Sequence, residues 1–258
     1  MTSNSIGPKS GVLLVGHGTR DEVGTRQFFE LRDQLGAVLA GTPVQASLLE
    51  FQEPSIDQGW DTLVRQGVNH IHVAPLLLFA AGHAKQDIPQ AIQNCQQRTP
   101  HITHDQCRPL SRNQAIIDLI LERVESNHVE IQTDPSRTAL VMTGRGSFDP
   151  CATSDMHLLR HLIERRTNFA KVVTAFYAMA NPKLPEVLEK LASSNHFDAI
   201  MVQPHLLFEG RLYQAIIKQV ETAATNHQKL QWRVGNYLGP EVRVAEAIAT
   251  RISQSKIK

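Results

Sequence analysis

The chain has 258 residues, of which 41% are hydrophobic and 20% are charged, the balance of a globular protein with one large domain or two of ordinary size. Because 26 Lys and Arg residues stand against 25 Asp and Glu residues, the formal net charge is only +1. Overall charge therefore gives no reason to expect nucleic acid or a membrane as a partner. No apolar stretch reaches the roughly 20 residues of a membrane span, and the polar start predicts no signal peptide.

Short apolar runs alternate with segments of helical periodicity along the whole chain. The runs predict strands near 11–16, 43–50, 70–78, 101–107, 138–143, 171–177, 198–207 and 231–235. The periodic segments predict helices near 20–39, 55–67, 85–97, 112–126, 151–166, 183–194, 211–225 and 240–253. Regular alternation of this kind indicates an α/β fold with parallel sheets that are covered by helices on both faces.

The second half of the chain repeats the first. Three pairs of segments align in nearly one register: GVLLVGHGTRDE at 11–22 with ALVMTGRGSFDP at 139–150, LLEFQEPSI at 48–56 with FYAMANPKL at 176–184, and VAPLLLFAAGHAKQDI at 73–88 with VQPHLLFEGRLYQAI at 202–216. We therefore expect two similar flavodoxin-like domains, 11–132 and 137–253, that arose by internal duplication and face a central cleft. The alternative is one larger doubly wound sheet.

Three polar side chains follow the first three predicted strands of the first domain. His17 lies between Gly16 and Gly18 after the first strand, Glu53 follows the second, and His83 follows the third. In flavodoxin-like winding the first and third strands are neighbours at the point where the winding reverses, and ligands bind beyond the carboxyl ends of the strands there. The three side chains should therefore converge. Glycines at this turn permit unusual backbone angles and the close approach of a flat ligand.

Two imidazoles and one carboxylate suit an ion of cobalt, nickel, iron or zinc. A structural zinc site is usually closed by four ligands, often including cysteine, and no cysteine is nearby. The glycine spacing of a nucleotide-binding or P-loop motif is also absent. The incomplete set of ligands indicates a metal that arrives, reacts and leaves, without fixing the reaction.

The motifs LLVGHGTRD, LEFQEPSI and PLLLFAAGHAKQDIP resemble those of the CbiX/SirB family of class II tetrapyrrole chelatases. GRGSFDP and QPHLLFEG resemble the second half of its long, internally duplicated members, so the resemblance extends over roughly 11–250. It implies insertion of Co²⁺, Fe²⁺ or, in some members, Ni²⁺ into sirohydrochlorin, with release of two protons and without ATP. The metal is then a substrate, and no permanently bound cofactor is implied.

The resemblance also implies roles for particular residues. His17 is the proton acceptor and a metal ligand, His83 is the second metal ligand, and Glu53 contacts the substrate. The substrate-binding loop runs through Leu78, Phe79, Ala80, Ala81, Gly82 and His83. Imidazole suits the reaction because it titrates near neutrality and can accept the pyrrole protons as the metal enters.

The second copy has lost these chemical groups. Arg145 stands in place of His17, Asn181 in place of Glu53, and Arg211 in place of His83. Arginine stays protonated near pH 7 and is a poor metal ligand. The sequence therefore predicts a single active site, in the N-terminal domain.

The arginines of the second copy suggest a different role. We predict that Arg145 and Arg211 bind carboxylates of sirohydrochlorin through their planar guanidinium groups, and Arg20 can join them. The alternative is that they are solvated or pair with neighbouring acids such as Asp149 and Glu209.

Other histidines are interpreted as structural. His70 and His72 begin the third strand, at the wrong end for this site, and His205 aligns with Leu76, which favours a packing role.

Three scattered cysteines indicate reduced thiols and a cytoplasmic protein. Three questions stay open from the sequence. They are whether the metal is cobalt for cobalamin or iron for sirohaem, whether the protein is instead a non-catalytic tetrapyrrole or metal carrier, and whether it is a monomer, as a duplicated chain allows.

Overall fold

The computed structural model describes residues 9–80 and 82–255, with the side chain of His83 excepted. The first half contains β1 (Ser10–Gly16), α1 (Glu22–Val38), β2 (Val44–Leu48), α2 (Ile56–Arg65), β3 (His70–Pro75), a π-helical turn (His83–Asp87), α3 (Ile88–Arg98), β4 (Thr103–Gln106) and α4 (Gln114–Ile131). The second half contains a 3-10 turn (Pro135–Arg137), β5 (Thr138–Gly144), α5 (Pro150–Arg165), β6 (Lys171–Phe176), α6 (Leu184–Ala192), β7 (Ala199–Pro204), α7 (Arg211–Asn226), β8 (Gln231–Val234) and α8 (Val242–Ser255). Every predicted strand and helix is present.

The strands form two four-stranded sheets in the orders β2-β1-β3-β4 and β6-β5-β7-β8. All of the strand pairs in both sheets are parallel. This is the flavodoxin-like order, in which the winding reverses between the first and third strands. The prediction of two similar α/β folds is therefore confirmed, and the alternative of one larger sheet is wrong.

Two strands end earlier than their apolar sequences predict. The third stops at Pro75 and the seventh at Pro204, instead of near 78 and 207. The amide of Leu76 makes the last bond to β1, at Val15 O (2.8 Å), and the neighbouring strands end there as well. Because the neighbouring strands end, the apolar residues that follow continue as a loop, in which Leu77 O accepts from Leu110 N (2.9 Å).

The core of the first sheet lies where apolar side chains of β1 and β3 meet helices α2 and α3. Leu13 and Val15 are fully buried there, together with Trp60 and Leu63 of α2. Burial of one such side chain contributes about 1.5–3 kcal/mol. The indole of Trp60 also donates to Thr99 Oγ1 (2.9 Å). This packing fixes the strands whose ends carry the candidate site.

The chain divides into two compact units whose boundaries differ from those of the repeats. One unit contains residues 9–115 and 239–255, and the other contains 116–238. Helix α8 thus belongs with the first sheet, where it packs on α1 and its Ala247 carbonyl accepts a bond from Asn113 (3.2 Å). Helix α4 belongs with the second sheet, where Asn127 accepts a bond from Arg233 (3.1 Å).

The predicted domains 11–132 and 137–253 follow the repeated sequence, whereas the compact units exchange the last helix of each repeat. Each of these helices presents an apolar stripe that must be buried, and the stripe alone does not say against which sheet. Across the described ranges, every helix falls short of the length and apolar character that crossing a bilayer demands.

Candidate functional site

The turn after β1 is held by backbone bonds to the loop after β2. Gly16 O accepts from Leu49 N (3.0 Å), and His17 O accepts from Glu50 N (3.1 Å). The ladder between the two strands therefore continues one residue beyond β1. This places His17 at the carboxyl edge of the sheet, as the sequence predicts.

The two glycines of this turn make room for the protein's own atoms. Gly18 has φ +93°, and a Cβ there would lie 2.1 Å from Glu50 O. A Cβ on Gly16 would lie 2.7 Å from the ring of Phe28. The unusual backbone angles expected at this turn are confirmed for Gly18, and at both glycines a side chain would meet atoms of the protein itself.

The imidazole of His17 is half-buried, and its Nδ1 lies 3.1 Å from Gly18 O. Because a carbonyl oxygen only accepts hydrogen bonds, Nδ1 must carry the hydrogen. In the neutral ring the lone pair then resides on Nε2, the nitrogen that can take a proton or a metal ion. This contact favours the tautomer that the predicted chemistry needs.

An exposed aromatic ring lies beside His17. Phe51 is 52% exposed and has φ +70°. Its ring centroid lies 6.3 Å from that of His17, and the guanidinium carbon of Arg20 lies 4.9 Å from the same centroid. Sequence reasoning missed Phe51, because an apolar residue after a predicted strand looks like part of that strand.

Two carboxylates follow β2. Glu50 and Glu53 are both exposed, and Glu53 precedes a cis peptide bond to Pro54. The predicted residue is Glu53, but the backbone of Glu50 is the one that contacts both His17 and Gly18. Ser55 caps α2, so Glu53 does not serve as its N-cap. Glu50 is a second candidate that the motif alone did not single out.

The loop after β3 leads to the predicted His83. Leu78, Phe79 and Ala80 are half-buried, and Gly82 is exposed. Ala81 lies outside the described residues. The backbone of His83 begins the π-helical turn, while its side chain is also outside them. The side-chain amide of Gln106, at the end of β4, donates to Ala84 O (2.8 Å) and so anchors this turn to the sheet.

The second copy reproduces the first turn almost bond for bond. Gly144 O and Arg145 O accept from Tyr177 N (2.9 Å) and Ala178 N (2.8 Å). Gly146 has φ +88°, and a Cβ there would lie 2.0 Å from Ala178 O. The scaffold of the turn is therefore retained where the histidine has been replaced.

Arg145 and Arg211 are both exposed, and Arg211 is the first residue of α7. Within residues 9–80 and 82–255 no ion pair or hydrogen bond engages either guanidinium group. Of the acids considered as their partners, Asp149 caps α5 through Cys151 N (2.9 Å). Glu209 accepts bonds from Gln214 and Tyr237.

His205 is fully buried, next to the end of β7. Its backbone amide continues the ladder by donating to Thr143 O (2.7 Å). Burial lowers the pKa of its imidazole to about 3, so the ring is neutral at physiological pH. The side chain therefore packs in the interior of the second unit.

Comparison with known proteins finds the same similarity over both copies. A family model described as CbiX matches residues 11–127 and 139–255. The sirohydrochlorin ferrochelatase of Priestia megaterium is 32% identical over 241 residues, which cover 93% of this chain and 88% of the relative. The sirohydrochlorin cobaltochelatase of the same organism is 30% identical over 231 residues, covering 88% and 74%. The structure of SirB from Bacillus subtilis with Fe³⁺ superimposes with a TM-score of 0.86 at 27% identity, covering 97% of this chain and 96% of that one.

Proposed function

Because the chain belongs to the CbiX family, we propose that it is a sirohydrochlorin chelatase that inserts Co²⁺ or Fe²⁺ into the macrocycle without ATP. Two pyrrole N–H bonds break, bonds form from the nitrogens to the metal, and two protons leave. The observation that carries this proposal is the similarity to sirohydrochlorin chelatases over both copies, with His17 at the carboxyl edge of the first sheet. The contact of His17 Nδ1 with Gly18 O places the proton-accepting lone pair on Nε2 when the ring is neutral.

We assign two roles to His17, metal ligand and proton acceptor. His83 is the proposed second ligand, which would let the metal pass from two imidazoles to the macrocycle. Loose binding is required for turnover, because an ion held too tightly would stay on the protein. Glu53 is the proposed substrate-contacting carboxylate, and Glu50, whose backbone bonds the His17 turn, is a second candidate.

The macrocycle itself needs flat, apolar surface. The exposed ring of Phe51 and the half-buried residues from Leu78 to Ala80 offer such surface at the ends of β2 and β3. Stacked or edge-to-face contacts with an aromatic ring add about 0.5–1.5 kcal/mol beyond burial. We propose that Phe51, the loop from Leu78 to His83, and Arg20 above Phe51 bind sirohydrochlorin.

Arg145 and Arg211 are proposed to bind carboxylates of the substrate. What supports this role is that both guanidinium groups are exposed and that neither is engaged by an acid within the described part of the chain. A guanidinium group that forms two parallel bonds to a carboxylate is suited to such recognition.

The test is anaerobic incubation of the full chain with sirohydrochlorin and Co²⁺, Fe²⁺ or Ni²⁺ in turn, following the absorbance of the metallated product. We expect initial rates above the uncatalysed reaction, with the highest rate identifying the preferred metal. The control is His17→Arg, which introduces the residue that the second copy carries in the same turn. Binding of sirohydrochlorin or metal without any acceleration would instead identify a carrier.

We also propose that the protein acts in the cytoplasm, as a monomer, with the metal as substrate and no permanent cofactor, nucleic acid or membrane partner. Burial raises the pKa of both the Cys95 and Cys107 thiols to about 12. Thiols this weakly acidic form little of the reactive thiolate, which suits reduced structural cysteines. Molar mass by light scattering tests the monomer, and a mass near twice 28.7 kDa would contradict it.

A further inference from the structure

A second cluster of possible metal ligands lies at the opposite end of the first sheet. His70 and His72, on β3, face Asp105 on the adjacent β4. His70 Nε2 lies 2.8 Å and His72 Nδ1 2.7 Å from the same carboxylate oxygen, Asp105 Oδ2. One ligand atom from each of the three residues lies within 4.8 Å of the others. Sequence reasoning set these histidines aside because they lie far from the predicted site.

The pairing of the strands explains the convergence. His70 and His72 are two residues apart, so their side chains emerge on the same face of the sheet. His72 pairs with Asp105 across the β3–β4 ladder, which brings that carboxylate to the same face. The cluster is therefore built on two rigid strands rather than on mobile loops.

The cluster is buried on one side and open on the other. His72 is 1% exposed, so its ligand atom Nδ1 lies on the buried side. The side chains of His70 and Asp105 are 30% and 24% exposed, so one side of the cluster reaches solvent. An ion can enter from that side and keep a water molecule as a further ligand.

The second copy shows that the fold does not require these polar groups. In the matching ladder Ala199, Met201 and Arg233 occupy the positions of His70, His72 and Asp105. Ala199 and Met201 are fully buried, and Arg233 pairs with Glu130. Alanine and methionine therefore fill the same two positions in the second sheet. The packing of the fold does not by itself require two histidines there.

We propose that His70, His72 and Asp105 bind a divalent first-row transition ion, Zn²⁺ or Co²⁺, at a second site. Two imidazoles and a carboxylate, with one position left for water, form a ligand set that both ions accept. The site lies about 15 Å along β3 from the loop that follows Pro75, at about 3.3 Å per residue, so it is distinct from the substrate-metal site proposed at His17.

The geometry needs only a small adjustment to hold an ion. Metal–ligand bonds of about 2.0–2.2 Å in a tetrahedral site separate neighbouring ligand atoms by about 3.4 Å. The present contacts of 2.7 and 2.8 Å are hydrogen bonds, in which protons take the place of the metal. Side-chain rotations that lengthen these contacts by about 0.6–0.7 Å would open the site.

The experiment measures metal binding by the full chain in the His17→Arg background, which removes a ligand of the substrate-metal site. Zn²⁺ is followed by calorimetry, and Co²⁺ by its visible absorption. We expect one bound ion per chain, and none after His70→Ala with His72→Met, the residues of the second copy. Since no tetrapyrrole is added, the outcome does not depend on the proposed chelatase activity.

Two further variants keep the test decisive. His157→Ala with His161→Ala removes an exposed histidine pair of α5 and should leave binding unchanged. Asp105→Asn keeps the shape of the side chain and should weaken binding at least about tenfold; it decides the question if the double variant fails to fold. Absence of stoichiometric binding in the His17→Arg protein, or an ion retained after loss of His70 and His72, would overturn the proposal.

Discussion

The two copies of the repeat share one backbone turn and differ in the chemistry that it carries. His17 and Arg145 occupy the same position, and their carbonyls accept matching bonds of 3.1 and 2.8 Å. The following residues, Gly18 and Gly146, have φ +93° and +88° and the same close contact with a carbonyl. Both copies therefore keep the glycines that the backbone requires, while the side chain between them is a histidine in one copy and an arginine in the other.

The two copies also differ in their buried histidines, since each copy has an imidazole at a position where the other has an apolar side chain. The first copy has His72 where the second has the buried Met201. The second copy has the buried His205 where the first has Leu76, which is also buried. Each copy therefore shows that an apolar residue fits where the other has an imidazole. Substitutions taken from the other copy are the natural tests of what each histidine contributes.

The largest effect is expected from exchanging the residues of the two turns. His17→Arg should lower the initial rate of metal insertion by about 10²- to 10⁴-fold, the usual contribution of a positioned proton acceptor. Arg145→His should not restore activity when combined with it, because the remaining groups of the second copy are Asn181 and Arg211. Initial rates with sirohydrochlorin measure both. A restored rate in the double variant would show that the second copy is also competent.

The glycines should matter equally to stability in both copies. Gly18→Ala and Gly146→Ala each force a side chain into a positive-φ conformation and against a carbonyl oxygen, 2.1 and 2.0 Å away. Strain and overpacking together predict a loss of about 2–4 kcal/mol in the free energy of unfolding. Urea denaturation measures it, with Gly41→Ala, at an open positive-φ position, as the control for strain alone. A loss no greater than that of the control would contradict the close contact.

His205 should make the second unit sensitive to acid. Its native pKa of about 3 lies below the value of about 6.5 expected in the unfolded chain. As the pH falls below 6.5 the unfolded state takes up a proton that the native state refuses, so stability declines. Between pH 7.5 and 5.0 this amounts to about 2 kcal/mol.

The matched variant is His205→Leu, which introduces the residue of the first copy. Its free energy of unfolding should fall by about 2 kcal/mol less than that of the unmodified protein over the same pH range. Denaturant titrations at the two pH values give the comparison. Parallel pH dependence in the two proteins would mean that His205 does not carry this acid sensitivity.

The smallest effect is expected from the arginines of the second copy. Arg145→Ala and Arg211→Ala should each raise the KM for sirohydrochlorin about three- to tenfold, through the loss of a charge-assisted bond worth about 1 kcal/mol. The kcat should change little, because neither group is assigned to the chemical step. Steady-state rates give both constants, with Arg65→Ala, an arginine at the end of α2, as the control. An unchanged KM in both variants would contradict the carboxylate-binding role.

Much of the fold and part of the site follow from local sequence. Apolar runs and helical periodicity predict each element, and the alignment of the halves predicts the second sheet. The location of His17 follows as well, because a histidine after a buried strand must lie at the carboxyl edge. The ends of β3 and β7 do not follow, since the apolar sequence continues beyond the point where the neighbouring strands stop.

Other parts of the site depend on contacts that no local pattern encodes. Phe51 looks like a strand residue, and only the turn of the chain at φ +70° exposes its ring beside His17. The motif predicts Glu53 alone, and only the backbone bond from Glu50 N to His17 O shows that Glu50 also adjoins the turn. Asp105 is separated from His72 by 33 positions, so their meeting requires the register of β3 against β4.

The sequence by itself determined the order of the elements, the duplication, and the turn in which glycine is obligatory beside His17. These are local properties, set by periodicity and by the steric limits of the backbone. Only the tertiary structure decided that α8 belongs with the first sheet and α4 with the second, because an apolar stripe does not by itself specify the sheet that buries it. It also decided that His70, His72 and Asp105 form one cluster, because strand pairing brings together residues that are distant in the chain.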